Sequence, residues 1–221
     1  MSDGHLIDVS HVVEDGQVTY PGLPATVVCD YLTREASRGR YAEGVEFHIG
    51  KIEMVANTGT YVDSPFHRYA DGIDLAELPL ERLANLEGVV IRAGGASQAV
   101  DVDAFREVDV AGKAVLVASG WDRHWGSDEY FTGHPYLTAA AAEYLKQADA
   151  ALVGIDSLNI DATDDGRRPV HSTLLAAGIP ICEHLCGLEQ LPTEGFRFFA
   201  VFLKVRGMGT FPVRAFGIVE L

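Results

Sequence analysis

Residues 57–67 read Asn57-Thr58-Gly59-Thr60-Tyr61-Val62-Asp63-Ser64-Pro65-Phe66-His67, and the rest of the chain is read from this stretch. It follows a strand-like run, turns at a glycine, and delivers an aspartate, a Ser-Pro bend and a histidine within five residues. Proline disfavours helix at Ser64, so Asp63 and His67 flank a bend rather than stand one helical turn apart. A bend can still aim both side chains at one point. Gly59 suits a turn or a close backbone approach. These residue types predict a site rather than a packed element.

Before this stretch, His5–Val13 and Val27–Thr33 read as strands, and Arg34–Gly44 as an exposed loop or flap. Phe47–Ala56 alternates apolar and polar residues and reads as a strand. After it, Asp74–Ala84 reads as a short helical or extended segment, and Val102–Val108 as a short helix capped by Asp101. Gly88–Arg92, Lys113–Ala118 and Ala151–Ile155 are apolar runs that predict buried strands. The second of these ends in Ser119-Gly120-Trp121, which puts polar residues at a strand's C-terminal end, a common place for function in α/β sheets. Thr138–Gln147 is the clearest helix, with a threonine to cap it and a run of alanines. Val170–Ala177 reads as helical, and Ile179–Cys182 as a strand leading to Glu183. Phe196–Val205 predicts a long strand and Ala215–Val219 a final one. Strands outnumber helices, so the expected class is α/β, a mixed sheet with few helices packed on it.

No linker divides the 221 residues, so one domain spanning 1–221 is expected. The 48% hydrophobic fraction suffices for a sizeable core. Seventeen basic against 32 acidic residues give a formal net charge of -15, which repels nucleic acid and anionic membranes. Three cysteines do not make a disulfide framework. The start MSDGHLIDVS is polar, and no apolar run approaches the roughly 20 residues of a membrane span, so a cytoplasmic protein is expected.

Asp63, His67, His171 and Glu183 are hard and borderline donors of the kind that suit Zn or Mn. Asn57, Phe66, Arg68, Trp121 and Tyr20 are the residues expected to meet a small-molecule substrate, Arg68 by pairing with a carboxylate.

The chain resembles the cyclase family of metal-dependent hydrolases, whose hallmark is His-x-Gly-Thr-His-x-Asp-x-Pro-x-His. The likeness extends to Tyr20-Pro21-Gly22, Ser119-Gly120-Trp121, His134-Pro135-Tyr136-Leu137, Val153–Leu158, His171–Leu175 and Ile179–Glu183, roughly residues 6 to 219. It implies a swivelling β/α/β-type sandwich that cleaves an amide or lactam bond of a small aryl or cyclic substrate, in the manner of an arylformamidase. It also implies a homodimer or homotetramer. Two hallmark histidines are Asn57 and Tyr61 here, and neither is a usual zinc ligand. The resemblance then leaves Asp63, His171 and Glu183 for one divalent metal and His67 for proton transfer. Without a metal, His67, Asp63 and Tyr61 would serve a lyase, isomerase or cyclase, with Tyr61 donating to an oxyanion. A third reading is a binder of small molecules that has lost catalysis.

Overall fold

The computed structural model describes residues 4–95 and 97–219. In chain order the strands are β1 (His5–Asp8), β2 (Val27–Leu32), β3 (Ile49–Glu53), β4 (Tyr61–Asp63), β5 (Leu86–Arg92), β6 (Ala99–Val100) and β7 (Ala114–Ala118). They continue as β8 (Tyr136–Leu137), β9 (Leu152–Ile155), β10 (Ile181–Glu183), β11 (Phe196–Phe199), β12 (Thr210–Pro212) and β13 (Phe216–Val219). The helices are α1 (Arg34–Ser37), α2 (Ala139–Gln147) and α3 (Pro169–Ala176). Nine strands form one mixed sheet in the order β1-β13-β11-β5-β7-β9-β10-β4-β12. Its centre, β5-β7-β9-β10, is parallel, and antiparallel strands flank it on both sides. The expected mixed α/β class with few helices is what the chain forms.

The central strands are apolar throughout because both faces are covered. Successive side chains point to opposite faces. Val115, Val117, Val153, Ile155 and Ile181 therefore meet Ala141, Ala142 and Leu145 of α2 and Val170, Leu174 and Leu175 of α3. Leu116, Leu152, Cys182 and Val62 pack on the other face with Ile7, Leu185, Phe196 and Phe198. Thr138 caps α2 by accepting from the Ala141 N–H at 3.1 Å.

Four expectations change. Residues 61–63 are a fully buried strand between β10 and β12, so this part of the opening stretch is a packed element. The last long strand stops at Phe199, where the ladder to β13 ends at Phe216 and that to β5 has ended one residue earlier at Leu86. Arg34–Ser37 forms a one-turn helix capped by Thr33, and Val102–Ala104 is a single 3-10 turn on Asp101. No helix is long and apolar enough to cross a membrane among the described residues.

Candidate active site

The period of two that buries Val62 on one face turns Tyr61 and Asp63 to the other, the face carrying α3. The antiparallel register sets Tyr61 opposite Glu183 and Asp63 opposite Ile181. Tyr61 donates its phenolic proton to Glu183 Oε2 at 2.5 Å, and the Ile160 N–H donates to Glu183 Oε1 at 2.6 Å. Glu183 is a buried carboxylate on the sheet face.

His171 enters from α3. Asp161, on the loop after β9, accepts from the Val170 N–H at 2.7 Å, the His171 N–H at 3.0 Å and His171 Nδ1 at 2.7 Å. One carboxylate thus caps the helix and fixes the imidazole. His171 Nε2 then faces Asp63 Oδ2 at 3.6 Å and Glu183 Oε1 at 3.7 Å.

The Ser-Pro bend continues as a 3-10 turn over Pro65–His67 and brings His67 Nδ1 to 3.6 Å from Asp63 Oδ1. Thr210, on β12, lies between them. Its hydroxyl bonds both Asp63 Oδ1 and His67 Nδ1, the latter at 2.8 Å. A carboxylate only accepts and a hydroxyl has one proton, so the network assigns the Thr210 proton to Asp63 and makes Nδ1 of His67 the donor. In the neutral ring, Nε2 of His67 then carries the lone pair. The neighbouring glycine is required: a Cβ on Gly209 would lie 2.3 Å from the His67 backbone nitrogen. Gly59 is left-handed, with φ +64°, at the turn that enters β4.

Electrostatically the floor is crowded. Burial raises the Glu183 carboxyl to about 7, against the pull of His171, and Asp63 adds to the rise. Burial lowers His171, but Glu183, Asp161 and Asp63 outweigh it and raise the imidazole to about 10. Burial, then Glu183 and Asp63, push the Tyr61 phenol well above its ordinary value, so it stays a neutral donor.

An open cavity of about 270 Å³ lies over these groups. Tyr20, Asn57, Tyr61, His67, Arg68, His171 and Glu183 line it, with Asp63 buried behind them. The His67 side chain is 35% exposed and that of Asp63 is 0% exposed, so His67 is the acid–base group a substrate can reach. Two expected substrate contacts lie elsewhere. Trp121 donates its indole N–H to the Tyr130 carbonyl at 3.1 Å and lines a separate depression, because Asp156 ties the turn before it through the Ser119 and Gly120 N–H groups. Phe66 is on the 3-10 turn beside His67 but does not line the cavity. Sequence reading missed Thr210, Asp161, Asn159 and Arg168. Asp161 alone carried a signal, standing eight residues before the proline that opens α3.

A divalent cation fits one half of the floor. Asp63 Oδ2 is buried without a hydrogen-bond partner, and it points toward His171 Nε2. Ligand atoms of Asp63, His67 and His171 all lie within 4.8 Å of one another, with Glu183 beside His171. Tetrahedral ligation sets ligand atoms roughly 3.4 Å apart, close to the 3.6 and 3.7 Å separations here. The other half, filled by Asn57 and the Tyr61 phenol, does not fit a second ion.

A mixed sheet with acid–base groups converging under an open cavity defines an enzyme of the α/β class. The model of the cyclase family, described as "Putative cyclase", matches residues 7–162, and the chain belongs to that family. Kynurenine formamidase of Geobacillus thermodenitrificans is 26% identical over 211 residues, 95% of each chain. That of Erythrobacter litoralis is 25% identical over 207 residues, 92% of this chain and 89% of the relative. Among solved structures, an isatin hydrolase bound to the product analogue thioisatinate superposes with a TM-score of 0.81 at 21% identity, covering 99% of this chain and 94% of the other. A potential metal-dependent hydrolase with cyclase activity gives 0.80 at 24% identity, covering 99% of both. The two structures share the fold.

Proposed function

We propose that this protein hydrolyses an amide or lactam C–N bond of a small aryl or cyclic substrate, with His67 as the group that moves the proton. As a cyclase-family member related to kynurenine formamidases along nearly its whole length, it is a hydrolase of C–N bonds other than peptide bonds. The observation that carries the mechanism is the Asp63–Thr210–His67 chain, which holds Nδ1 as donor and leaves Nε2 free as base at the cavity floor.

His67 Nε2 takes a proton from water as it attacks the carbonyl and returns that proton to the departing nitrogen. Imidazole suits both steps because one ring nitrogen can accept a proton and give it back. Asp63, His171 and Glu183 would hold one Zn or Mn ion, and such an ion supplies Lewis acidity and a more acidic bound water. Asp161 holds the His171 ring so that Nε2 faces the carboxylates. Tyr61 keeps Glu183 oriented, and its proton is already committed to that carboxylate.

One observation favours a metal-independent second reading. His171 Nε2 stands 3.6 Å from Asp63 Oδ2 and 3.7 Å from Glu183 Oε1, so a protonated ring would itself neutralise that pair. In that scheme the cation is internal, and His67 serves a lyase, isomerase or cyclase reaction.

The test is turnover of N-formylkynurenine, isatin and formanilide by protein purified without chelator, with and without added Mn or Zn. Hydrolysis that requires the added ion supports the single-metal scheme, and hydrolysis unaffected by chelator supports the metal-free one. Absence of hydrolysis under every condition overturns the hydrolase reading.

A further inference from the structure

Two arginines stand at the mouth of the cavity, Arg68 and Arg168. Arg168 sits at φ 49°, ψ 60°, immediately before the proline that opens α3. This left-handed conformation is uncommon for a residue other than glycine and is held by its surroundings. Its Nη1 donates to Asn159 Oδ1 at 3.3 Å and to the Ala162 carbonyl at 3.2 Å, which fixes the guanidinium over the cavity wall. Arg68 stacks over Tyr69, 5.2 Å from the ring centroid, and its Nε donates to Ser172 Oγ at 3.3 Å. The Ser172 N–H in turn donates to the Arg168 carbonyl at 3.0 Å, so one residue of α3 is tied to both arginines.

Neither guanidinium has a carboxylate of its own among the described residues. Asp165, the acid nearest in sequence to Arg168, is held by Arg167 through Nε and Nη2, each at 2.9 Å. Glu183, in the cavity, has both oxygens engaged by Tyr61 and Ile160. Both Nη groups of Arg68 and Nη2 of Arg168 are left without a partner among the described residues. An acidic chain thus keeps two unneutralised forks at the entrance of one cavity. Planar guanidinium forks with free N–H groups match carboxylates in two-point contact.

Resting on the hydrolase reading above, we propose that the substrate carries a carboxylate, gripped by Arg68 and Arg168 at the mouth of the cavity while its C–N bond reaches His67 at the floor. The division of labour has an electrostatic reason. The two arginines hold the anion at the rim, so the pair orients the substrate with its uncharged carbonyl inward toward His67.

The probes are formanilide and the three formamidobenzoates, which differ from it by one carboxylate and release formate and the amine on hydrolysis. The expected result is that at least one formamidobenzoate exceeds formanilide in kcat/KM by about tenfold or more. In the double variant R68M/R168M that ratio collapses toward one, through KM rather than kcat. Arg168→Lys, which keeps the charge and loses the fork, falls between. Equal kcat/KM for all four compounds, or a ratio unchanged in the double variant, overturns the proposal while leaving the hydrolase reading intact. If no compound is hydrolysed, the hydrolase reading fails, and calorimetric binding of the same compounds decides. About tenfold tighter binding of a formamidobenzoate than of formanilide, lost in R68M/R168M, sustains the carboxylate site; equal affinity overturns it.

Discussion

Tyr61 and Glu183 face each other across the β4–β10 pair, and the phenol donates to the carboxylate at 2.5 Å with both side chains buried. Tyr61 and Asn57 stand where the hallmark of the resembling family has histidines, so the phenol replaces a ligand with a hydrogen-bond donor. Tyr61→Phe would leave a buried carboxylate short of one donor, and a loss of about 1–3 kcal/mol of stability is expected in urea unfolding. Activity should fall only modestly. A fall of two orders of magnitude at unchanged stability would show instead that Tyr61 donates to the reacting oxygen.

Asp161 is the second residue on which the floor depends. It accepts from His171 Nδ1 and from two N–H groups of the first turn of α3. In Asp161→Asn the charge is lost and one position of the amide offers a donor where an acceptor is needed. Binding of Zn or Mn, followed by calorimetry, should weaken about 10- to 100-fold. Undiminished affinity would remove His171 from the ligand set.

The hairpin of β2 and β3 stands apart from the main sheet and is exposed along nearly its whole length. Tyr31 is 76%, Ile52 59% and Phe47, just ahead of β3, 52% exposed. A lone two-stranded ribbon is marginally stable in water, and exposed apolar side chains along it favour burial against a partner. We propose that a second copy of the chain covers it, as expected from the family resemblance. Light scattering should give a mass of at least two chains, and the pair Tyr31→Lys with Ile52→Lys should shift it toward one. A monomer at micromolar concentration would refute this.

His11 packs flat on Trp125, with ring centroids 3.9 Å apart, and burial lowers its imidazole to about 4 against the opposing pull of Asp122. A histidine whose folded-state value is depressed takes up its proton more readily when unfolded, so stability rises with pH in this window. The contribution is intact above about 6.5 and lost as pH falls toward 4. Relative to His11→Asn, the native chain should therefore lose about 1–2 kcal/mol between pH 7 and pH 4. Parallel stability curves for the two proteins across that range would contradict the burial argument.

Much of the frame was legible in the sequence because its signals are local. Uninterrupted apolar runs announced β5, β7 and β9, and Thr138 before an alanine run announced α2. Asp63, His67, His171 and Glu183 were named from residue type and family likeness, and the sheet does gather them. What escaped depends on pairing at a distance. Strands β4 and β12 have three residues each and exist only because they pair with each other and because β4 pairs with β10. Thr210 reaches Asp63 across 147 positions of sequence. Arg168 reaches the cavity through a left-handed backbone that its side chain gives no reason to expect. Trp121 was drawn to the site by its place at a strand end, but the Asp156 carboxylate holds that turn for structural reasons.

Formate release from N-formylkynurenine by the native protein and by His67→Ala tests most directly whether His67 moves the proton in hydrolysis of a C–N bond. Release by the native protein with added Mn or Zn is predicted, together with a loss of about 100-fold or more in kcat for the variant and an unchanged melting temperature. A variant that retains native kcat would contradict the account.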